Sequence, residues 1–308
     1  MSQNRNTRGQ GGVAGGILRS MRPHQWVKNL LVVAPLFFAQ AFDQWITVLQ
    51  SLGAAAGFCL MASAVYMIND LVDRERDQRH PVKKHRPIAS GRVSPALALR
   101  VAAGLGLMSA LIGALIHPLV AVLLLSYLLL NLAYSGWLKR VPFVDVTVIA
   151  VGFVLRVVAG GVAIGVLLSE WLVLCTFLLA VYLGLGKRRH ELALQVSGTL
   201  ERTRRSLGAY RLEHVDTALV AVAGFTVAVY TIYAVTASLP DQPLRLRETP
   251  VDSAWLPVTI PLVTLGLARF FALCRSEGLQ SPTEAMLKDR ALLSIFALWG
   301  GVLVFLTL

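Results

Sequence analysis

An all-α, polytopic membrane protein with about nine transmembrane helices is the fold class the sequence predicts, and three observations predict it. Apolar stretches of about 17 to 25 residues recur along the whole chain, the length that crosses a hydrocarbon core of about 30 Å as a helix. The composition is 56% hydrophobic and only 15% charged, with a mean hydropathy of +0.64, too apolar for a soluble surface on 308 residues. The cations, finally, fall in alternate segments between the apolar stretches, as they do in multi-pass proteins. Strands are a poor alternative, because the runs are continuous rather than alternating.

In chain order, residues 1–21 are rich in Gly and Arg and lack the apolar core of a cleavable leader, so they read as a mobile basic tail. Residues 22–308 read as a single transmembrane domain. Gly, Pro and charge breaks delimit its spans at Trp26–Phe42, Val48–Ile68, Ala96–Ile116, Leu119–Leu138, Phe143–Val166, Trp171–Gly186, Val215–Leu239, Trp255–Leu273 and Ala291–Leu308. The first is the weakest, since it holds Lys28 and Pro35. The fifth is rich in small residues, among them Gly152, Gly160 and Gly161, which permit close helix packing. Cys59, Cys175 and Cys274 fall in or beside apolar stretches without paired spacing and read as small buried hydrophobes.

Of the 29 Lys and Arg, 26 lie on one side of this map, two (Arg245 and Arg247) on the other, and Arg156 within a span. The positive-inside rule then places the N-terminus in the cytoplasm and the C-terminus outside a cytoplasmic membrane. The same rule accounts for the net charge of +12, so no nucleic-acid partner is needed to explain it. The loop at 239–254, with Pro240, Pro243 and Pro250, falls outside on this map and suggests no function.

The richest stretch closes the second span: Val65-Tyr66-Met67-Ile68-Asn69-Asp70-Leu71-Val72-Asp73-Arg74-Glu75-Arg76-Asp77. At 100° per residue, Asp70, Asp73 and Asp77 fall within about 60° of one another on a helix, and Asn69 joins that side. Three like charges on one face near low dielectric repel, so something must neutralise them. Hard carboxylate and amide oxygens suit Mg²⁺, which completes its shell with waters and phosphates. The alternative is that Arg74, Arg76 and Arg79 pair with the acids. A cation-dense, Pro-broken loop follows, His80-Pro81-Val82-Lys83-Lys84-His85-Arg86-Pro87, in which Lys83, Lys84 and Arg86 either cover polyphosphate oxygens or only obey the charge rule.

Asn-Asp-x-x-Asp-x-x-x-Asp at 69–77, followed by Arg-Pro-Ile-x-Ser-Gly at 86–91, resembles the first aspartate motif of the UbiA superfamily of intramembrane prenyltransferases. The resemblance covers essentially the whole chain after the tail. It implies helices around a lipid-accessible central cavity, with Asn69, Asp70, Asp73 and Asp77 holding Mg²⁺ on a diphosphate at its mouth. Most members carry a second aspartate motif at the end of the sixth span. Here Val181-Tyr182 echoes Val65-Tyr66 but leads into Lys187-Arg188-Arg189-His190-Glu191, three cations where paired acids would stand. One acid cluster opposite one basic cluster suits two phosphate-bearing ligands, one held through a metal and one by Lys and Arg directly. Topogenic charge alone is the plainer account of those cations.

Arg22-Pro23-His24-Gln25-Trp26-Val27-Lys28-Asn29, Tyr134-Ser135-x-x-Leu138-Lys139-Arg140, Lys187-Arg188-Arg189-x-Glu191 and Arg204-Arg205-Ser206-Leu207-x-x-Tyr210 are similar to one branch of that superfamily, the decaprenyl-phosphate phosphoribosyltransferases. That branch moves 5-phosphoribose from phosphoribosyl diphosphate (PRPP) to a polyprenyl phosphate, releases diphosphate, and in actinobacteria supplies the arabinose donor of cell-wall arabinan. The resemblance also permits homotrimers. It implies catalytic roles for Asp70, Asp73 and Asp77, with Lys28, Tyr134 and Lys139 helping the leaving group and Lys187 and Arg188 positioning the lipid phosphate, beside Glu191. A phosphate acceptor is already anionic, so no general base is demanded, and no His–acid dyad is evident; His190 lies nearest the site.

Asp145 and Arg156 lie eleven residues apart on one face of the fifth span. Arg156, inside the apolar stretch, either faces the cavity, joins an internal ion pair or caps a carbonyl. The rival within the superfamily is a prenyltransferase using a prenyl diphosphate and an aromatic acceptor, which the missing second acidic motif disfavours. A transporter would carry ionisable residues near mid-membrane in several spans, whereas here the charges gather at one surface.

Overall fold

The computed structural model describes residues 12–39, 41–196, 210–237, 255–276, 285–286 and 288–307. Residues 1–11, the Arg204–Arg205 segment and the 239–254 loop therefore lie outside the described residues. The described chain runs α1 (Val13–Met21), a 3₁₀ segment (Pro23–Val32), α2 (Ala34–Phe38), α3 (Trp45–Val72), α4 (Arg74–Gln78), α5 (Pro95–Ile116), α6 (Pro118–Gly136), α7 (Val144–Ala163), α8 (Glu170–Val196), α9 (Leu212–Ala237), α10 (Ile260–Arg275) and α11 (Arg290–Thr307). Short 3₁₀ turns lie at Lys83–His85, Leu138–Arg140 and Leu256–Thr259.

Seven of these helical stretches are long and apolar enough to cross a membrane, and the helix that begins at Arg290 is apolar but shorter. Ends are set locally. Ser94 Oγ accepts the Leu97 N–H with Pro95 at the first position of α5, and His117 accepts the Leu119 N–H ahead of Pro118 in α6.

Two expectations change. The first expected span is not one α-helix: its apolar run is a ten-residue 3₁₀ segment followed by five α-helical residues. At about 2.0 and 1.5 Å per residue, the two pieces laid end to end extend about 28 Å. Part of the expected mobile tail is also ordered. Residues 13–21 form α1, which lays Ile17 and Met21 against Met67, Ile88 and Val93 and buries Ser20. Gly16 lets α1 seat closely there, since a Cβ at that position would lie 2.9 Å from the Val93 side chain and 3.3 Å from that of Arg92.

One core cluster joins Phe58, Met61 and Val65 of α3 to Leu124 and Tyr127 of α6, Ala159 of α7 and Val32 of the 3₁₀ segment. A second joins Val146 of α7, Tyr182 and Leu185 of α8, Leu219 of α9 and Phe270 of α10. Between α7 to α11 and the 3₁₀ segment lies a cavity of about 410 Å³, walled by Leu31, Val157, Leu183, Tyr230, Phe270 and Trp299 among others.

Candidate functional site

The acids at the end of α3 meet cations from remote parts of the chain. α3 ends at Val72, Asp73 caps it, and α4 continues at Arg74, with the Asp77 N–H still donating to the Asp73 carbonyl at 2.8 Å. The helical phase therefore carries across the junction. Asp70 Oδ1 accepts from Arg22 Nη2 at 2.6 Å and from Arg86 Nη1 at 3.1 Å. The same Arg86 nitrogen donates to Asp77 Oδ2 at 2.6 Å. Asp70 and Asp77 are 3% and 1% exposed, so these are charge-assisted bonds in a shielded site.

Asp73 turns the other way, with Lys139 Nζ 3.7 Å from Oδ1 and Arg76 Nη2 3.7 Å from Oδ2. Asn69 Oδ1 accepts from Ser135 Oγ at 2.6 Å, which ties the end of α6 to the end of α3. Tyr134 is half-buried one residue before Ser135, and Lys83 is half-buried in the loop beyond α4.

Among the described residues, no three His, Cys, Asp or Glu gather as a metal cage. Arg86 bridges Asp70 and Asp77, the two most buried of the four expected ligands, while Asp73 faces Lys139 and Arg76. The donor chemistry nonetheless fits Mg²⁺. That ion commonly uses one or two carboxylates and draws the rest of its shell from water and phosphate. A cationic nitrogen already bridges Asp70 and Asp77, which shows that two buried carboxylate oxygens approach one positive centre.

Beside the acids lies a second group of cations. Lys28 is close enough to Lys187, Arg156 and Arg22 for their charges to act on it. Arg156, 5% exposed, donates from Nε to Asn29 Oδ1 at 2.8 Å, from Nη1 to the Gly152 carbonyl at 2.7 Å and from Nη2 to the Tyr127 hydroxyl at 2.9 Å. The Tyr127 ring centroid lies 4.6 Å from its guanidinium carbon. Carbonyl capping is therefore one of its roles. It makes no ion pair with Asp145, which faces Arg188 instead.

The run 187–189 divides. Lys187 is exposed, whereas Arg188 is 1% exposed and spent on Asp145 and Glu191. Arg189 bonds Asp216 of α9 and the Cys274 carbonyl of α10. This corrects the expectation that Arg188 and Glu191 face a ligand: the helix phase turns Arg188 inward, and Glu191 neutralises it. Arg86, expected over phosphate oxygens, is likewise engaged by Asp70 and Asp77. Sequence reasoning missed Arg22, Ser135 and Tyr127 as partners. The position of Arg22 just ahead of the first apolar run was the one available signal.

Residues 30–190 match the UbiA prenyltransferase family. A decaprenyl-phosphate phosphoribosyltransferase of Mycolicibacterium smegmatis is 31% identical over 295 residues, covering 94% of this chain and 92% of that one. One of the same name from Mycobacterium tuberculosis is 32% identical over 305 residues, covering 97% and 96%. The structure of a UbiA homolog from Archaeoglobus fulgidus bound to DMAPP and Mg²⁺ superposes with a TM-score of 0.68 at 18% identity, covering 94% of this chain and 99% of that one. With the fold, the aspartate-bearing end of α3 and near-full-length relatives in agreement, the chain belongs to the UbiA prenyltransferase family.

Proposed function

We propose that the protein transfers 5-phosphoribose from PRPP to a polyprenyl phosphate of the decaprenyl type and releases diphosphate. One observation carries the reading: the acids at the end of α3 adjoin a second group of cations, and the chain segments that carry those cations also wall an apolar cavity. Leu31, Val157 and Leu183 of the cavity wall follow or precede Lys28, Arg156 and Lys187 by three, one and four residues. An acceptor with a phosphate head and a long apolar tail matches that juxtaposition. The names of the relatives point the same way.

Asn69, Asp70, Asp73 and Asp77 would hold Mg²⁺, which when bound neutralises charge on the diphosphate leaving group. Lys28 and Lys139 would add positive charge where the leaving oxygen becomes anionic, and Tyr134 would supply a hydroxyl donor to the same group. Arg22 and Arg86, which bond Asp70 and Asp77 here, would exchange partners when the donor enters. The bond from ribose C1 to the diphosphate oxygen breaks, and a lipid phosphate oxygen held by Lys187 forms the new bond to C1. That oxygen is already anionic near neutral pH, so no side chain needs to remove a proton. The half of the surface dense in Lys and Arg would face the cytoplasm, where PRPP is available. In a cell that makes arabinan, the product would feed its precursor.

The test is a matrix of donors and acceptors with Mg²⁺. Diphosphate should appear only with PRPP and a polyprenyl monophosphate together. Release from a prenyl diphosphate with an aromatic acceptor would replace this reading with the other chemistry of the superfamily. In the same assay Lys187→Ala should raise the KM for the lipid phosphate about tenfold, the cost of one charge-assisted contact, and leave that for PRPP unchanged.

A further inference from the structure

Beside Lys187, three chain segments are tied by a buried polar chain that the proposed transfer does not use. Phe143, the residue before α7, has φ 64° and ψ −38°, a conformation that bulky L residues rarely adopt. The Val144 N–H donates to the Pro142 carbonyl at 2.8 Å, closing a tight γ-turn of the strained kind. Such strain persists only where the surroundings enforce it, and it clusters at functional sites.

Tyr210, just ahead of α9, enforces it. Its ring centroid lies 4.9 Å from that of Phe143, and its hydroxyl accepts the Phe143 N–H at 2.5 Å. The same hydroxyl donates to Asp145 Oδ1 at 2.7 Å. Asp145 Oδ2 faces Arg188 Nε at 3.3 Å, and Arg188 Nη1 bonds Glu191. Asp145 is 0%, Arg188 1% and Tyr210 6% exposed. Asp145 Oδ2 and Arg188 Nε make no aligned hydrogen bond, so they oppose each other as charges. Apolar side chains of similar volume hold helices together at least as well as a buried ion pair, so stability alone does not account for this array.

We propose that Tyr210 and Asp145 are positioning residues for the acceptor phosphate. They hold Arg188 against α7, which fixes the rotation of α8 about its axis and so the direction in which Lys187, one residue earlier, is presented. The inference rests on the reading that Lys187 takes the lipid phosphate.

The experiment measures equilibrium binding to the full-length protein in detergent, with farnesyl monophosphate as one probe and PRPP with Mg²⁺ as the other. Tyr210→Phe keeps the ring on Phe143 and removes only the hydroxyl. It should weaken farnesyl monophosphate binding about tenfold and leave PRPP within about twofold. Asp145→Asn should do the same. Adding Phe143→Gly to Tyr210→Phe relieves the strained turn and should restore Tm without restoring affinity. Equal weakening of both probes, no weakening of either, or recovery of affinity with the glycine would overturn the proposal. A wild-type protein that binds farnesyl monophosphate yet releases no diphosphate from PRPP would sink the proposed reaction and leave this inference standing. Wild-type protein that ignores farnesyl monophosphate would sink both.

Discussion

Asp73→Ala is expected to give a folded protein that turns over PRPP about a thousandfold more slowly, the scale of losing a group that stabilises transition-state charge. Among the three acids Asp73 is the one whose removal separates chemistry from folding. Its side chain is 24% exposed, and both of its cationic neighbours stand off at 3.7 Å. Asp70 and Asp77 are instead buried against Arg22 and Arg86, so deleting either would break a buried ion-pair network. Loss of Asp73 should therefore abolish Mg²⁺-dependent PRPP binding while Tm changes little. Turnover at the wild-type rate, or PRPP binding that still titrates with Mg²⁺, would remove Asp73 from the site.

Gly160→Ala should be the most damaging small substitution in the membrane-embedded core. A Cβ at that position would lie 1.9 Å from the Val32 carbonyl oxygen and 2.9 Å from its carbon. Those are backbone atoms, so no rotamer change relieves the clash, and either α7 or the 3₁₀ segment must move. Overpacking of this kind costs about 3 kcal/mol, which should appear as a lowered Tm. The functional loss should be larger than the stability loss suggests. The displaced segment carries Lys28 and Asn29, and Asn29 accepts the Arg156 Nε–H at 2.8 Å. Misplacement of a positioned group by about 1 Å costs on the order of a hundredfold in rate. Wild-type Tm and activity in Gly160→Ala would show that the segment does not seat against α7.

The seven spans between Trp45 and Arg275 were legible because each is a continuous apolar run bounded by Pro, Gly or charge, and length alone identifies such a run. The first was not. A 3₁₀ segment and an α-helix share the same apolar composition, and only Lys28, Asn29 and Pro35 hinted at irregular backbone. The clustering of Asp70 and Asp77 was legible from helical phase. Their partners were not, since Arg22 lies 48 residues and Arg86 16 residues from Asp70.

Arg188 shows a signal that was present but unread. Tyr182, Leu185 and Leu192 are buried at intervals of three and seven, so positions 188 and 189 continue the inward face of α8. Read by phase, the three consecutive cations are one exposed lysine and two buried arginines rather than one basic patch.

PRPP radiolabelled in its 5-phosphate tests the central claim most directly. With the purified protein, Mg²⁺ and a polyprenyl monophosphate, the label should move into the organic phase, and chelation of the metal should stop it. Label that stays in water under those conditions, while a prenyl diphosphate alkylates an added aromatic acid, would contradict the account.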